Sequence, residues 1–200
     1  MNKNDYMFEF NGKVLIFTGH RYKKLYGSNL NDDEGRYYTL RRAIRVFVEK
    51  LVLEKGVRTF ISGGALGLDT VAFFVGCDIK RKYPELNIKN ILAIPYKEQD
   101  FYWKEDDKKR YNKMKSWADL IINVSELDKY FAFSTNDKLQ KRNEFMVDNG
   151  DFAFGLWDGK AGGGTYNCIS YIQQLENPMP LYIMNPKTLK IIDFTVRKFE

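Results

Sequence analysis

The chain has 200 residues, of which 44% are hydrophobic and 16% aromatic. We predict one domain over residues 1–200, and a chain so rich in rings is not intrinsically disordered. The formal net charge of +6 is consistent with a solvated basic surface or with a surface for phosphates or nucleic acid; the scattered Lys and Arg residues favour the first.

From residue 13 onward, short apolar runs alternate with longer amphipathic stretches. Branched and aromatic runs predict buried strands, and apolar residues at helical spacing predict helices. In chain order, we predict strand 13–18, helix 32–55, strand 58–62, helix 66–82, strand 90–95, a loop with a short helix over 96–115, and strand 119–124. A loop over 125–136, helix 137–149, strand 151–157, a glycine turn over 158–164, helix 165–175, strand 180–184 and an edge strand within 189–194 follow.

This alternation predicts an α/β fold with a mainly parallel sheet of about six or seven strands and helices on both faces. Ligands of such sheets bind beyond the carboxyl ends of the strands. The segments at that edge are residues 19–24, 62–67, 95–103, the loop after 124, and 158–165.

Several classes of site and location are not expected. Cys77 and Cys168 are far apart and His20 is the single histidine, so we expect no disulfide framework and no metal site. We also expect no cofactor. The N-terminus lacks the apolar core of a signal peptide, and no apolar run approaches the ~20 residues of a membrane span, so we expect a cytoplasmic protein without a membrane partner.

Three glycine-containing turns follow predicted strands. In the first, Gly19 lets backbone amides approach an anion, and His20 and Arg21 supply donors; a plain polar turn is the alternative. The second turn spans residues 62–69, where the glycines and a helix N-terminus favour phosphate binding. There the carboxylate of Asp69 accepts hydrogen bonds from a ribose or from backbone amides. This turn lacks the Lys-Ser/Thr pair of a Walker loop, and a tight turn whose acid is stabilised by the helix dipole is the alternative. The candidate ligand-binding residues of these two turns are Thr18, Gly19, His20, Arg21, Ser62, Gly63, Gly64, Ala65, Gly67 and Asp69.

The third turn, residues 158–168, carries three consecutive glycines between a strand and a helix, which predicts a second phosphate cradle rather than a flexible linker. The preceding helix carries an arginine suited to bidentate phosphate contact, although a solvated charged helix is equally consistent with the sequence. Aromatic residues after the third strand could stack on a base or pin a loop. These segments add the candidates Asp158, Gly162, Gly163, Gly164, Thr165, Arg142, Asn143, Met146, Pro95, Tyr96 and Trp103.

Taken together, the pieces TGHR, SGGALGLD, KYPEL, IPYKEQ, KRNEFMVD and GGGT resemble, in this order, the YpsA-like branch of the SLOG superfamily. That superfamily includes the Lonely Guy (LOG) proteins and the Rossmann core of the DNA-processing protein DprA. The resemblance covers about residues 13–175. It implies a Rossmann-like fold that binds nucleotides or nucleotide-derived ligands, and a homodimer.

The resemblance also allows the catalytic residues of the LOG enzymes to be compared with this chain. LOG enzymes hydrolyse the base–ribose bond of nucleoside monophosphates with a Glu three residues after the threonine of the glycine signature and with an Arg on the preceding helix. Arg142 and Met146 match that helix, but Cys168 stands where the Glu would be. A thiol cannot stabilise an oxocarbenium-like centre as a carboxylate does, and the candidates to replace it are Asp69, Glu144 and Asp158.

Three hypotheses for function follow. The first is binding of an ADP-ribose-like compound or nucleoside phosphate, as a sensor or a sequestering protein. The second is N-glycosidic hydrolysis of LOG type, with Arg142 anchoring phosphate and Asp69 or Glu144 as the carboxylate. The third is nucleic-acid binding by analogy with the DprA core, which the dispersed charge does not favour.

Overall fold

The computed structural model describes residues 9–25 and 34–195. It contains a seven-stranded sheet whose strands are β1 (Lys13–Gly19), β2 (Val57–Ser62), β3 (Lys89–Ile94), β4 (Leu120–Asn123), β5 (Phe152–Leu156), β6 (Leu181–Met184) and β7 (Ile191–Asp193). Their order across the sheet is β4-β3-β2-β1-β5-β6-β7. All neighbours pair in parallel except β6 and β7, which are antiparallel. The Rossmann-like α/β architecture predicted from the sequence is confirmed.

Five helices connect the strands: α1 (Glu34–Lys55), α2 (Leu68–Lys82), α3 (Glu105–Trp117), α4 (Thr135–Asp148) and α5 (Gly163–Gln174). Helices α1 and α2 pack on one face of the sheet around Leu15, Phe17 and Phe60. Helix α3 joins that face through Tyr111 and Met114, which belong to the same hydrophobic cluster as Phe73 of α2. Helices α4 and α5 cover the opposite face. We therefore refer to a three-helix face and a two-helix face.

The strand order reverses between β1 and β5, the two central strands. Successive strands after β1 extend the sheet in one direction, and β5 returns to the other side of β1. The connections that leave the carboxyl ends of β1 and β5 lead to opposite faces, which opens a crevice between them. The crevice is the expected ligand position in a sheet of this kind.

Several predicted boundaries are wrong by a few residues. Within the predicted loop with a short helix over 96–115, the helix is α3, which has 13 residues and ends two residues later, at Trp117. Helix α4 begins at Thr135, because the hydroxyl of Ser134 caps it by accepting a hydrogen bond from the Asp137 amide at 3.1 Å. Helix α5 begins at Gly163, inside the predicted turn. Residues 32 and 33, the predicted start of the first helix, lie outside the described residues.

No helix of the described residues is both long enough and apolar enough to cross a membrane.

Candidate functional site

A cavity of about 430 Å³ lies at the crevice between the carboxyl ends of β1 and β5. Its walls are the segment after β1, the start of α2, one side of α4 and the start of α5. The residues that line it are Phe17, Thr18, Gly19, His20, Arg21, Lys23, Lys24, Ala65, Asp69, Leu139, Arg142, Asn143, Met146 and residues 162–165. Most of the predicted ligand-binding residues thus share one cavity.

Arg142 of α4 and Asp69 of α2 form a buried ion pair in this cavity. Nη1 of Arg142 lies 3.3 Å from Oδ2 of Asp69, and the same carboxylate oxygen accepts a hydrogen bond from the Ala65 amide at 3.0 Å. Both side chains are less than one tenth exposed. Nε of Arg142 has no hydrogen-bond partner within the described part of the chain. The guanidinium is therefore held at a fixed position and keeps an unused donor.

The turn between β2 and α2, which we call the inner glycine turn (residues 63–67), makes room for protein atoms. A Cβ on Gly63 would lie 1.1 Å from Nη1 of Arg142. Gly67 has a φ of +108°, and a Cβ there would lie 2.4 Å from the backbone oxygen of His20. Neither glycine lines the cavity, nor do Ser62 and Gly64. From this turn, Ala65 contributes to the cavity wall, and the predicted phosphate contacts of the other residues stay a prediction.

The turn between β5 and α5, which we call the outer glycine turn (residues 162–164), borders the cavity directly. Gly162 and Gly163 have φ of +91° and +84°, and a Cβ on any of the three glycines would meet nothing within 4 Å. Gly162 is the N-cap of α5 and provides no side-chain cap. The first amides of α5 are therefore open to an external acceptor, and the positive end of the helix dipole favours an anion there. Nδ2 of Asn143 braces the turn by donating to the Gly164 carbonyl at 3.4 Å.

His20 connects the end of β1 to the start of the loop that precedes the outer glycine turn. Its Nε2 lies 3.0 Å from the Asp158 amide nitrogen, which donates to it, and 2.9 Å from Oδ1 of the same residue. Burial lowers the pKa of His20 below its ordinary value of 6.5, although Asp158 opposes the shift. Asp158 itself is outside the cavity lining.

Positive charge dominates the cavity. Its lining includes the cations Arg21, Lys23, Lys24 and Arg142 against the single carboxylate of Asp69. The pKa of Arg21 is lowered by desolvation, against the attraction of Asp69 and together with repulsion from Arg142, yet a guanidinium stays charged at neutral pH. A site with an excess of fixed cations recruits anionic ligands.

The structure does not bring every predicted residue to the cavity. Trp103 packs on the ring of Tyr111, with centroids 5.3 Å apart, and Tyr96 lies under the ammonium group of Lys138 at 5.8 Å. Pro95 is buried at the end of β3. Glu144 is paired with Lys141 at 2.7 Å and is absent from the lining. The predicted base-stacking role of the aromatic residues therefore stays a prediction.

Sequence reasoning missed four residues of the lining: Phe17, Lys23, Lys24 and Leu139. Three of them had a signal. Lys23 and Lys24 follow the Thr-Gly-His-Arg turn after one intervening residue, and Leu139 lies one helical turn before Arg142 on the same side of α4. Phe17 lies in the middle of an apolar run and carries no signal for a ligand site.

Cys168 lies in the core beneath the outer glycine turn. The side chain is fully buried, and this burial raises the pKa of the thiol to about 11, with the neighbouring Thr18 side chain opposing the rise. The thiol is therefore neutral at physiological pH and unsuited to stabilising a cationic centre. The described residues contain no cluster of three or more His, Cys, Asp or Glu side chains that could hold a metal ion.

Comparison with known proteins places these features among relatives. The family model YpsA, described as the YspA SLOG family, matches residues 15–189. The chain is 37% identical to the SPbeta prophage-derived protein YoqJ of Bacillus subtilis over 162 residues, which cover 78% of this chain and 93% of YoqJ. It is 25% identical to the UPF0398 protein YpsA of the same organism, covering 90% of this chain and 96% of YpsA.

Among solved structures, DprA from Streptococcus pneumoniae matches with a TM-score of 0.49 and 13% identity over 89% of this chain and 52% of DprA.

Proposed function

The chain belongs to the YspA SLOG family, and we propose that it binds a nucleotide or nucleotide-derived ligand, an ADP-ribose-like compound or a nucleoside phosphate, in the cavity between β1 and β5. The observation that carries the proposal is the combination of an uncapped α5 N-terminus with four cations against one carboxylate in the same cavity. Backbone amides at a helix N-terminus and clustered cations are the groups that proteins use for phosphate.

The dimensions of the cavity support a ligand of this class. Its volume of about 430 Å³ lies in the range of small-molecule sites, which run from roughly 300 to 1,000 Å³. Phosphate would be held by the amides of residues 163–165 and by the guanidinium of Arg142, which lines the cavity. Phe17, Leu139 and Met146 provide the apolar part of the wall.

Binding without turnover, as in a sensor or a sequestering protein, is favoured by the state of Cys168. The residue at the position of the LOG carboxylate is a buried thiol with a raised pKa. A second candidate function, N-glycosidic hydrolysis, is supported by Asp69, a carboxylate within the cavity lining. Its bonds to Arg142 and to the Ala65 amide favour a role in holding the arginine.

The test is titration calorimetry with AMP, ADP, NAD and ADP-ribose, followed by chromatography of the recovered ligand. We expect at least one ligand to bind and to be recovered intact. Release of free base would support the hydrolase instead, and absence of binding by all four would contradict the proposed function.

A matched pair of variants locates the site. Gly163→Asp places a carboxylate at the mouth of the cavity and should weaken binding at least tenfold by repulsion, roughly 1.4 kcal/mol or more. Gly159→Asp is the control, because Gly159 has a similar φ of +85°, equally open surroundings and no place in the lining. Equal affinities of the two variants would refute this location.

A further inference from the structure

A second cavity of about 490 Å³ lies on the three-helix face, between α1, α2 and α3. It shares no lining residue with the cavity between β1 and β5. Its lining combines aromatic and cationic side chains with one carboxylate, that of Asp78. The ones that matter to the argument are Tyr38, Arg41, Arg81, Arg110, Lys113 and Trp117. We call this cavity the helical groove.

The excess positive charge of the chain is concentrated on the same face. Helices α1, α2 and α3 carry fourteen Lys and Arg residues against eight Asp and Glu, an excess of six. Helices α4 and α5 together carry three of each sign and are neutral. The excess on the three-helix face equals the formal net charge of +6 of the whole chain. The excess that is dispersed along the sequence therefore lies on the three helices of this face, which we call the basic face. Clustered Lys and Arg residues are the electrostatic signature of a polyanion-binding surface.

Two rings in the groove are available to a ligand. Trp117 is 45% exposed and Tyr38 is 57% exposed. Trp117 is held edge-on against Phe74, with centroids 5.9 Å apart and planes at 87°, and the ammonium group of Lys113 lies 4.5 Å from the Trp117 centroid. Exposed rings beside cations stack on nucleic-acid bases irrespective of sequence, while the cations follow the phosphates.

The guanidinium groups of the groove differ in their freedom. Arg41 is anchored to Asp78 at 2.5 Å, and Arg110 lies 3.4 Å from Asp107. The Arg81 side chain is 72% exposed, and its Nη2 lies as far as 3.9 Å from Oδ1 of Asp78, so it is loosely held. The two anchored arginines form the walls of the groove, and Arg81 and Lys113 can turn toward a phosphate chain that passes over it.

We propose that the helical groove binds single-stranded nucleic acid, with bases on Trp117 and Tyr38 and the backbone along Arg81 and Lys113. The single strand is favoured over an acidic peptide because the groove offers exposed ring faces as well as charge. It is favoured over a duplex because bases within a stacked duplex do not present their faces.

The experiment measures fluorescence anisotropy of labelled oligothymidylate and oligouridylate of about 15 nucleotides, within the range of known single-strand sites. We expect wild-type affinity to fall steeply with salt. Arg81→Glu/Lys113→Glu should lower affinity at least tenfold and flatten the salt dependence. Lys187→Glu/Lys190→Glu is the control, since it changes the net charge equally at exposed positions near β7, away from the groove.

Trp117→Ala should also lower affinity about tenfold, because one base loses its stacking partner, and Trp117→Phe should restore much of it. Gly163→Asp should bind the oligonucleotide like the wild type, since it alters only the other cavity. Absence of wild-type binding, or equal loss in the groove variant and its control, would overturn the proposal. Polyglutamate bound as tightly as the oligonucleotide, and weakened by the same variants, would show a general polyanion surface and overturn it as well.

Discussion

The inner and outer glycine turns follow neighbouring regions of the same sheet edge, and both lead into a helix, but they differ in what surrounds them. Around the inner turn, Gly63 and Gly67 face the Arg142 guanidinium and the His20 backbone at distances that no Cβ could occupy. Around the outer turn, the glycines face open space. The inner turn is packed against protein, and the outer turn is open to solvent.

A glycine-rich strand–helix turn therefore has two separate uses. At the inner turn, the missing side chain lets a functional side chain from another helix enter, so that the turn acts on a ligand through Arg142. At the outer turn, the missing side chain leaves the amides of α5 accessible to the ligand itself. A substitution at the inner turn should therefore lower stability and reach binding only through Arg142, and one at the outer turn should act on binding directly.

The largest expected effect is on Gly67. Gly67→Ala forces a Cβ against the His20 oxygen at a φ of +108°, so it should lower the free energy of unfolding by about 3 kcal/mol or more. Gly162→Ala, with a φ of +91° but open surroundings, should cost only about 1 kcal/mol. Urea unfolding of both variants measures the difference. Equal losses of stability would show that backbone conformation, rather than packing, distinguishes the two turns.

The sequence predicts both turns but cannot distinguish them. Strand and helix positions follow from apolar runs, and the glycine-rich segments follow from composition. The contact of Gly63 with Arg142 joins residues far apart in the chain, and no local pattern reports it. Helix α3 was underestimated because only Tyr111 and Met114 of its 13 residues are buried, which leaves little apolar periodicity. The basic face was missed because its charges are adjacent only after three helices pack together.

The next largest effect concerns Gly63. Gly63→Ala must push the Arg142 guanidinium away from Asp69, which should lower stability by about 2 kcal/mol and abolish binding of the phosphate ligand. In an Arg142→Ala background, the guanidinium is absent and only Oδ2 of Asp69, 2.8 Å from the added Cβ, must shift, so the same substitution should cost less. A double-mutant cycle measured by urea unfolding should give a coupling of about 1–3 kcal/mol. A coupling near zero would mean that the overlap is relieved by the turn itself.

The smallest expected effect is the pH dependence of stability that arises from Cys168, and it tests whether the core beneath the outer turn excludes water. Because burial raises the pKa of Cys168 from 9 to about 11, the folded state holds its proton more tightly than the unfolded state. The stabilisation is complete below pH 9 and is lost as the pH rises through the folded pKa, with about 1 kcal/mol lost at pH 10. Cys77, whose pKa burial also raises, and the buried tyrosines contribute to the same decline. Unfolding of the wild type and of Cys168→Ala at pH 8 and pH 10 isolates the share of Cys168. An identical decline in both proteins would mean that water reaches the thiol through the outer turn, and the contrast between an open turn and a closed core would not hold.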